Sequence, residues 1–135
     1  MIKGIGVDTV SINEIARYIK GSTNSTDYIK RTFTKDEVLA AAKSPKQSEY
    51  YAARFAAKEA VFKAIAHLLP KKSFDMRIVE TLNNEDGSPY IQINRVLQQI
   101  LEESNIDKLH ISITTEDSYA TAFVIAEKIT EVASL

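Results

Sequence analysis

The first 70 residues begin with an apolar stretch and continue in segments with helical spacing. Met1–Val10 is apolar with two glycines, a pattern that predicts a short strand. A helix capped by Ser11 is expected to run to about Lys20, because apolar residues recur there three and four positions apart. The residues on that face are Ile12, Ile15, Ala16 and Ile19. A polar loop is expected at Gly21–Thr26.

Two further helices are indicated before Pro70. Thr34–Glu37 matches a capping box, in which the first and fourth residues cap each other's backbone, and it predicts a helix to about Lys43. Ser44–Pro45 resembles an N-cap followed by proline at the first helical position. A long helix should therefore follow and extend to about Leu69, where Pro70 ends it.

The second half of the chain has the alternating pattern of strands, interrupted by one helix. The expected elements are a strand at Phe74–Leu82, a turn at Asn83–Pro89, a strand at Tyr90–Ile93, a helix from Asn94 to Glu103, and a hairpin of Lys108–Thr115 with Tyr119–Glu127. This order predicts an α+β fold with antiparallel hairpins. A length of 135 residues predicts a single domain, 1–135.

Composition excludes several classes of function. The absence of cysteine excludes disulfides, zinc ribbons and thiol catalysis. A net charge of −1 argues against nucleic-acid binding, yet residues 1–63 carry 11 Lys and Arg against 7 Asp and Glu. That excess could attract an anionic ligand or an acidic partner, although uneven surface charge also arises by chance. No apolar run approaches about 20 residues and no signal peptide opens the chain, so we expect a cytoplasmic protein without membrane contact.

The long helix carries an unusual pair of charges. Its apolar arc holds the expected core residues, namely Phe55, Val61, Phe62, Ile65, Leu68 and Leu69. Glu59 and Lys63 lie on the other side, four residues apart, among Ala52, Ala56 and Ala60. Small neighbours would leave room for a ligand to approach, whereas the plainer interpretation is a surface salt bridge worth about 0.3–0.5 kcal/mol.

Arg54 and Lys58 project within or beside the apolar arc of the same helix. Their aliphatic stems could cover apolar surface while the charged ends reach water. They could instead reach across a subunit boundary or toward a phosphate. The sequence leaves both possibilities open.

Asp8 ends the apolar N-terminal strand and could cap the following helix or hold a metal. Mg²⁺ prefers oxygen ligands and is usually held by one or two carboxylates together with substrate phosphates, which Asp8 and Glu59 could supply. Lys63 could then hold the same phosphate. Gly4 and Gly6 lack the third glycine of a dinucleotide-binding fingerprint. In the strand Lys108–Thr115, alternation places three polar residues on one face, which suits solvent or a ligand groove: His110, Ser112 and Thr114.

Five sequence blocks together resemble the bacterial holo-acyl-carrier-protein synthases. They are Gly4-Ile-Gly-Val-Asp8, Phe33-Thr34-x-x-Glu37, Arg54-Phe-Ala-Ala-Lys-Glu-Ala-x-x-Lys-Ala64, His110-Ile-Ser-Ile-Thr114 and Tyr119-Ala120. The resemblance covers nearly the whole chain in order and spacing, and the Arg-Phe-Ala-Ala-Lys-Glu block is the most specific part. It implies the 4′-phosphopantetheinyl transferase fold, with antiparallel hairpins packed on a long central helix, usually assembled as a homotrimer with active sites at subunit boundaries.

The resemblance also implies residue roles. Asp8 and Glu59 match the Mg²⁺ carboxylates and Lys63 matches a phosphate-contacting lysine, so these three are the expected catalytic residues. Arg54, Lys63, His110 and Thr114 are the expected coenzyme A contacts. The implied reaction moves phosphopantetheine from coenzyme A to a serine of an apo acyl carrier protein and releases adenosine 3′,5′-bisphosphate.

The chain departs from the family pattern at three places. The stretch 65–72 lacks the glycine-rich turn that family members place after the long helix, and Thr115 stands where they often have histidine. Ser11 and Glu14 stand where the first helix of family members usually carries an acidic residue followed by an arginine that docks the carrier protein. Two other hypotheses therefore stand beside the active transferase: a non-catalytic homologue that binds coenzyme A or a carrier protein, and a trimeric interaction domain.

Overall fold

A computed structural model describes residues 1–20, 25–70 and 74–129 of the chain. The strands are β1 (Ile2–Ser11), β2 (Glu80–Asn83), β3 (Pro89–Gln92), β4 (Lys108–Glu116) and β5 (Tyr119–Glu127). The helices are α1 (Ile12–Lys20), α2 (Ser25–Thr32), α3 (Lys35–Ala42), α4 (Gln47–Ile65) and α5 (Arg95–Glu103), with 3₁₀ turns at Ala66–Leu68 and Met76–Ile78. The architecture confirms the α+β prediction.

Three of the strands form an antiparallel sheet in the order β1-β5-β4, while β2 and β3 form a separate hairpin. Helix α4 lies across one face of the three-stranded sheet. The contact is close because β1 presents glycines there: a Cβ on Gly4 would lie 1.8 Å from the Ala64 carbonyl oxygen, and one on Gly6 would lie 1.9 Å from that of Ala60. Only glycine permits this approach of two backbones.

The alanines of α4 form the centre of the core, which corrects the sequence interpretation of them as an open surface. Ala52, Ala56, Ala60 and Ala64 are completely buried, whereas Phe55 is only half-buried. Small side chains on the helix match small side chains on the sheet, where Ala120, Ala122 and Ala126 are also buried. The alanines therefore make room for the sheet rather than for a ligand.

Most predicted helix ends are present. Ser11 Oγ accepts a hydrogen bond from the Glu14 backbone N–H at 3.2 Å, and the capping box of Thr34 and Glu37 is formed. The predicted N-cap at Ser44 is wrong, because α4 begins two residues after Pro45 with Lys46 as its N-cap.

Two other stretches differ from the sequence prediction. The strand expected at Phe74–Leu82 is wrong over its first part, where Met76–Ile78 is a 3₁₀ turn and β2 begins only at Glu80. Helix α2 was not predicted, and it begins at Ser25, within the loop expected at Gly21–Thr26. Residues 21–24 of that loop lie outside the described residues.

Lys58 is completely buried and paired, so it neither covers surface with its stem nor reaches a subunit boundary. Its Nζ lies 2.7 Å from Glu37 Oε1, and both side chains have no exposed area. Burial lowers the pKa of Lys58, and the adjacent Glu37 carboxylate opposes that shift. The apolar arc of α4 therefore encloses an ion pair inside the chain.

Candidate active site

The structure brings together the three residues that the sequence singled out as catalytic. Lys63 Nζ donates to Asp8 Oδ1 at 2.8 Å and to the Val7 carbonyl oxygen at 3.3 Å. Glu59 precedes Lys63 by about one turn of α4 and shares a cleft with Asp8. The end of β1 supplies one carboxylate and α4 supplies the other, because the glycines of β1 bring strand and helix together.

Two carboxylates of this cleft, Asp8 and Glu59, lie close to the positive charge of Lys63. Partial burial and the nearby Asp8 raise the pKa of Glu59, while Lys63 opposes the shift. Crowded carboxylates favour a divalent cation, and their hard oxygens suit Mg²⁺. Among the described residues, no group of three or more His, Cys, Asp or Glu side chains could hold a metal. A cation held by Asp8 and Glu59 would keep coordination positions for water and for a substrate phosphate.

The cleft around these carboxylates extends between α1 and α2 and has a volume of about 520 Å³. We call it the carboxylate cleft; the residues that line it are Asp8, Thr9, Val10, Ser11, Glu14, Ile15, Tyr18, Tyr28, Phe55 and Glu59. Its walls are partly aromatic, since the rings of Tyr18 and Tyr28 lie 5.3 Å apart. Glu14 gives the rim a third carboxylate, so the entrance is locally acidic.

Arg54 lies in a second cleft, of about 330 Å³, between α4 and the β2–β3 hairpin. We call it the arginine cleft; its lining includes Lys46, Tyr50, Arg54, Asn83, Gly87, Pro89 and Thr115. The Arg54 guanidinium stacks 4.0 Å from the centre of the Tyr50 ring and donates to Asn83 Oδ1. Its buried Nε has no partner among the described residues. A guanidinium that lines a cleft is suited to an anionic ligand such as a phosphate.

His110 and Thr114 do not join either cleft within one chain. They alternate with inward residues on β4 and lie on the face of the sheet opposite α4. His110 Nε2 lies 2.9 Å from Glu127 Oε1, and this hydrogen bond lowers the pKa of Glu127. Thr115 points the other way and lines the arginine cleft. Of the four expected coenzyme A contacts, a single chain thus places Lys63 at the carboxylates, Arg54 in the arginine cleft, and His110 and Thr114 on the outer face.

Sequence reasoning missed several lining residues. Tyr28 belongs to the unpredicted helix α2, and its buried hydroxyl has no hydrogen-bond partner in the described part of the chain. Asn83 and Gly87 were expected only as a turn, although this turn closes over Arg54. The sequence feature that could have indicated these residues is the asparagine- and glycine-rich turn itself, because its polar groups suit a binding loop.

Comparisons with known proteins identify the family of this chain. A model of the 4′-phosphopantetheinyl transferase superfamily matches residues 4–124. A holo-[acyl-carrier-protein] synthase from Vesicomyosocius okutanii is 37% identical over 127 residues, covering 94% of this chain and 98% of that protein. The crystal structure of holo-[acyl-carrier-protein] synthase from Neisseria meningitidis matches with a TM-score of 0.83 at 33% identity, covering 95% of this chain and 100% of that one.

A third comparison concerns a structure with a ligand. The crystal structure of a holo-(acyl-carrier-protein) synthase from Bacillus anthracis in complex with CoA (3′,5′-ADP) matches with a TM-score of 0.74 at 27% identity, covering 96% of this chain and 99% of that one. No helix among the described residues is long and apolar enough to cross a membrane. On the strength of the family model and of relatives matched over nearly their whole length, this chain belongs to the 4′-phosphopantetheinyl transferase superfamily, together with the holo-[acyl-carrier-protein] synthases.

Proposed function

We propose that this protein transfers 4′-phosphopantetheine from coenzyme A to a serine of an apo acyl carrier protein. The serine oxygen attacks the β-phosphorus of coenzyme A, and the bond from that phosphorus to the bridging oxygen breaks. Adenosine 3′,5′-bisphosphate leaves with the bridging oxygen, and the serine proton passes to water or to a carboxylate of the cleft. The names of the relatives and the coenzyme A complex of a structural neighbour support this reaction.

The observation that carries the proposal is the meeting of Asp8, Glu59 and Lys63 at one cleft. Phosphoryl transfer depends mainly on positioning and on neutralising the charge of the phosphate oxygens. We propose that Asp8 and Glu59 hold one Mg²⁺, which would polarise the pyrophosphate. Lys63, which is half exposed, can exchange its contact with Asp8 for a phosphate oxygen.

We further propose that the protein acts as a homotrimer whose subunits meet through the outer face of the three-stranded sheet. That face carries exposed Ile5, Val7 and Phe123, and the sheet register places the last two side by side. Contiguous exposed apolar residues of this kind mark an interaction surface. The occupant is a second copy of the chain, because His110 and Thr114 lie on this face and would join a neighbouring subunit's cleft there.

This assembly also accounts for the separation of the two clefts. Glu59 and Arg54 are five residues apart on α4, which places them about 140° apart around the helix axis. A pyrophosphate held at Glu59 and a nucleotide held at Arg54 therefore suit clefts contributed by neighbouring subunits. Coenzyme A and a carrier protein as substrates lead us to expect a cytoplasmic enzyme.

The test is mass spectrometry of an apo carrier protein incubated with coenzyme A, Mg²⁺ and this protein. The proposal expects the carrier mass to increase by one phosphopantetheine and adenosine 3′,5′-bisphosphate to appear in equal amount. A carrier that stays unmodified, while coenzyme A binds, would identify a non-catalytic homologue. Replacing Mg²⁺ with excess chelator should stop the reaction if the carboxylates act through a metal.

A further inference from the structure

The buried pair of Lys58 and Glu37 is the centre of a network that joins four parts of the chain. Lys58 Nζ donates to the carbonyl oxygens of Met76 and Val79 at 3.0 and 2.5 Å, in addition to its contact with Glu37. Glu37 accepts from the backbone N–H of Thr34 at 2.9 Å and from that of Thr81 at 3.1 Å. One ion pair thus binds α4, the start of α3, the 3₁₀ turn at Met76–Ile78 and the first residues of β2.

The main contribution of this ion pair is its hydrogen bonding to the backbone. A buried ion pair contributes little net stability compared with apolar side chains of the same size. Apolar side chains could not, however, satisfy the four backbone groups that Lys58 and Glu37 bind, and these groups lie where irregular chain meets the core. The pair therefore fixes the position of specific backbone segments.

The segment fixed in this way is the base of the β2–β3 hairpin. Among the described strands, β2 and β3 pair only with each other, so the hairpin has no hydrogen-bonded ladder to the main sheet. Its hydrogen bonds to the helices join Val79 and Thr81 to the ion pair, Glu80 to the Thr34 hydroxyl and Asn83 to Arg54. At its base, Asn94 also donates to the Ile78 carbonyl oxygen. The tip of the hairpin, with Gly87 and Pro89, forms one wall of the arginine cleft.

We infer that Lys58 and Glu37 are positioning residues for the nucleotide end of coenzyme A, acting by holding the β2–β3 hairpin against Arg54. The inference rests on the proposed function, since it assigns the arginine cleft to that end of the substrate. Lys58 touches no substrate itself. It sets the distance between the arginine of α4 and the loop that faces it. Asp8 of β1 and Glu59 of α4 lie in the carboxylate cleft, and no described residue that lines this cleft belongs to the β2–β3 hairpin.

The experiment compares the double variant Lys58→Met/Glu37→Gln, which leaves no unpaired buried charge, with wild type and with Lys43→Met. Lys43 is an exposed lysine at the end of α3 and serves as the matched control. We expect the double variant to raise KM for coenzyme A about ten-fold with kcat within about three-fold, a split that indicates weakened substrate binding. The Mg²⁺ concentration for half activity should stay unchanged, and affinity for adenosine 3′,5′-bisphosphate should fall about ten-fold.

A folded double variant with wild-type KM for coenzyme A and wild-type affinity for adenosine 3′,5′-bisphosphate would overturn the inference, however much its thermal stability had changed. If the variant does not fold, hydrogen exchange of the wild-type protein decides. The other amides of β2 and β3 should then open together with that of Thr81, which reports on the ion pair because it donates to Glu37. They should also gain protection from adenosine 3′,5′-bisphosphate. Hairpin amides that exchange independently of Thr81, or that gain no protection, would contradict it. If the wild-type protein binds adenosine 3′,5′-bisphosphate but modifies no carrier, the proposed function is disproved. The affinity of the double variant for this nucleotide would then still decide the inference.

Discussion

Glu59 lies in a cleft with a second carboxylate, and the proximity of Asp8 together with burial raises its pKa. We predict that Glu59→Gln reduces transfer at least about 100-fold, the scale lost when an electrostatic catalytic group is removed. The same variant should melt no lower than wild type without metal, because the carboxylate repulsion is gone. Mass spectrometry of the carrier and thermal melts with and without Mg²⁺ measure the two effects.

The sign of the pH effect follows from the direction of this shift. The folded state holds the Glu59 proton more tightly than the unfolded chain does, so metal-free wild type loses stability as the pH rises from the ordinary glutamic acid pKa through the raised one. Glu59→Gln should lack this contribution. Near wild-type transfer by this variant at saturating Mg²⁺ would exclude Glu59 as a metal ligand.

Tyr28 carries a buried hydroxyl without a partner among the described residues, and burial raises its pKa. An unsatisfied buried donor costs free energy, whereas a phenylalanine ring would keep the contact with Tyr18. We predict that Tyr28→Phe raises the free energy of unfolding by about 1 kcal/mol, measured by urea denaturation. Tyr18→Phe removes an exposed hydroxyl and should change stability by less than about 0.5 kcal/mol. A less stable Tyr28→Phe variant would show that the hydroxyl is bonded in solution.

At the scale of single residues, the sequence predicted which charged side chains could meet better than it predicted which residues form the core. Asp8, Glu59 and Lys63 could be identified because a strand end and a four-residue helical spacing place charges where they can meet. Lys58 could not, since the same spacing does not reveal that Glu37, from another helix, follows it into the interior. The partner of a buried charge is a tertiary contact and leaves no local pattern.

At the scale of elements, helices and strands with a clear local pattern could be predicted from the sequence. The irregular segments between them were harder to predict. The capping box of α3 and the β4–β5 hairpin follow from local chemistry. The 3₁₀ turn at Met76–Ile78 does not, because its alternating apolar residues fit a strand equally well. The alanine face of α4 was also misread, since alanine is neutral in pattern and its burial depends on the glycines of β1.

The contact between β1 and α4 gives a prediction at the element scale. Gly6→Ala would place a Cβ 1.9 Å from the Ala60 carbonyl oxygen, so the two backbones must separate. We expect a loss of more than about 3 kcal/mol in the free energy of unfolding, which exceeds ordinary overpacking. Activity should also fall, because Asp8 lies two residues farther along the displaced strand.

Gly87→Ala provides the comparison for Gly6→Ala. Gly87 faces open space but has a φ of +87°, so its replacement should cost about 1–2 kcal/mol through backbone strain alone. Urea denaturation of both variants separates steric conflict from strain. Equal losses for the two variants would contradict the close strand–helix contact.

At the scale of the whole molecule, the exposed apolar face of the three-stranded sheet predicts which surface joins the subunits. Phe123→Glu places a charge at the centre of the proposed subunit boundary, where it would be buried without a partner. We expect the proposed trimer to dissociate to monomers in sedimentation equilibrium and transfer to fall with it, since His110 and Thr114 could no longer join a neighbouring cleft. Leu39 is a more exposed apolar residue on α3, away from the sheet, and Leu39→Glu should leave the proposed trimer and the activity intact. A wild-type monomer with full activity would disprove the assembly.

Charge on the rim of the carboxylate cleft predicts how the carrier docks. Basic residues end α1 and α2, namely Arg17, Lys20, Lys30 and Arg31, whereas Glu14 lines the cleft itself. A carrier that is acidic around its serine would be attracted by these basic residues and repelled by Glu14. Arg17→Glu should therefore raise KM for an acidic carrier, and rising salt should do the same for wild type, because exposed charges are screened beyond about 8 Å at physiological ionic strength.

Glu14→Arg should act in the opposite direction on the same carrier. Reversing the charge at the cleft removes a repulsion close to the attacking serine, so KM for an acidic carrier should fall several-fold with little change in KM for coenzyme A. Steady-state transfer measured at low and high salt checks this, since the improvement should shrink as salt screens it. If Glu14→Arg instead impairs transfer to the natural carrier, that carrier presents a positive group to Glu14. The natural carrier would then be distinguished by a positive charge beside its serine, which generic acidic carriers lack.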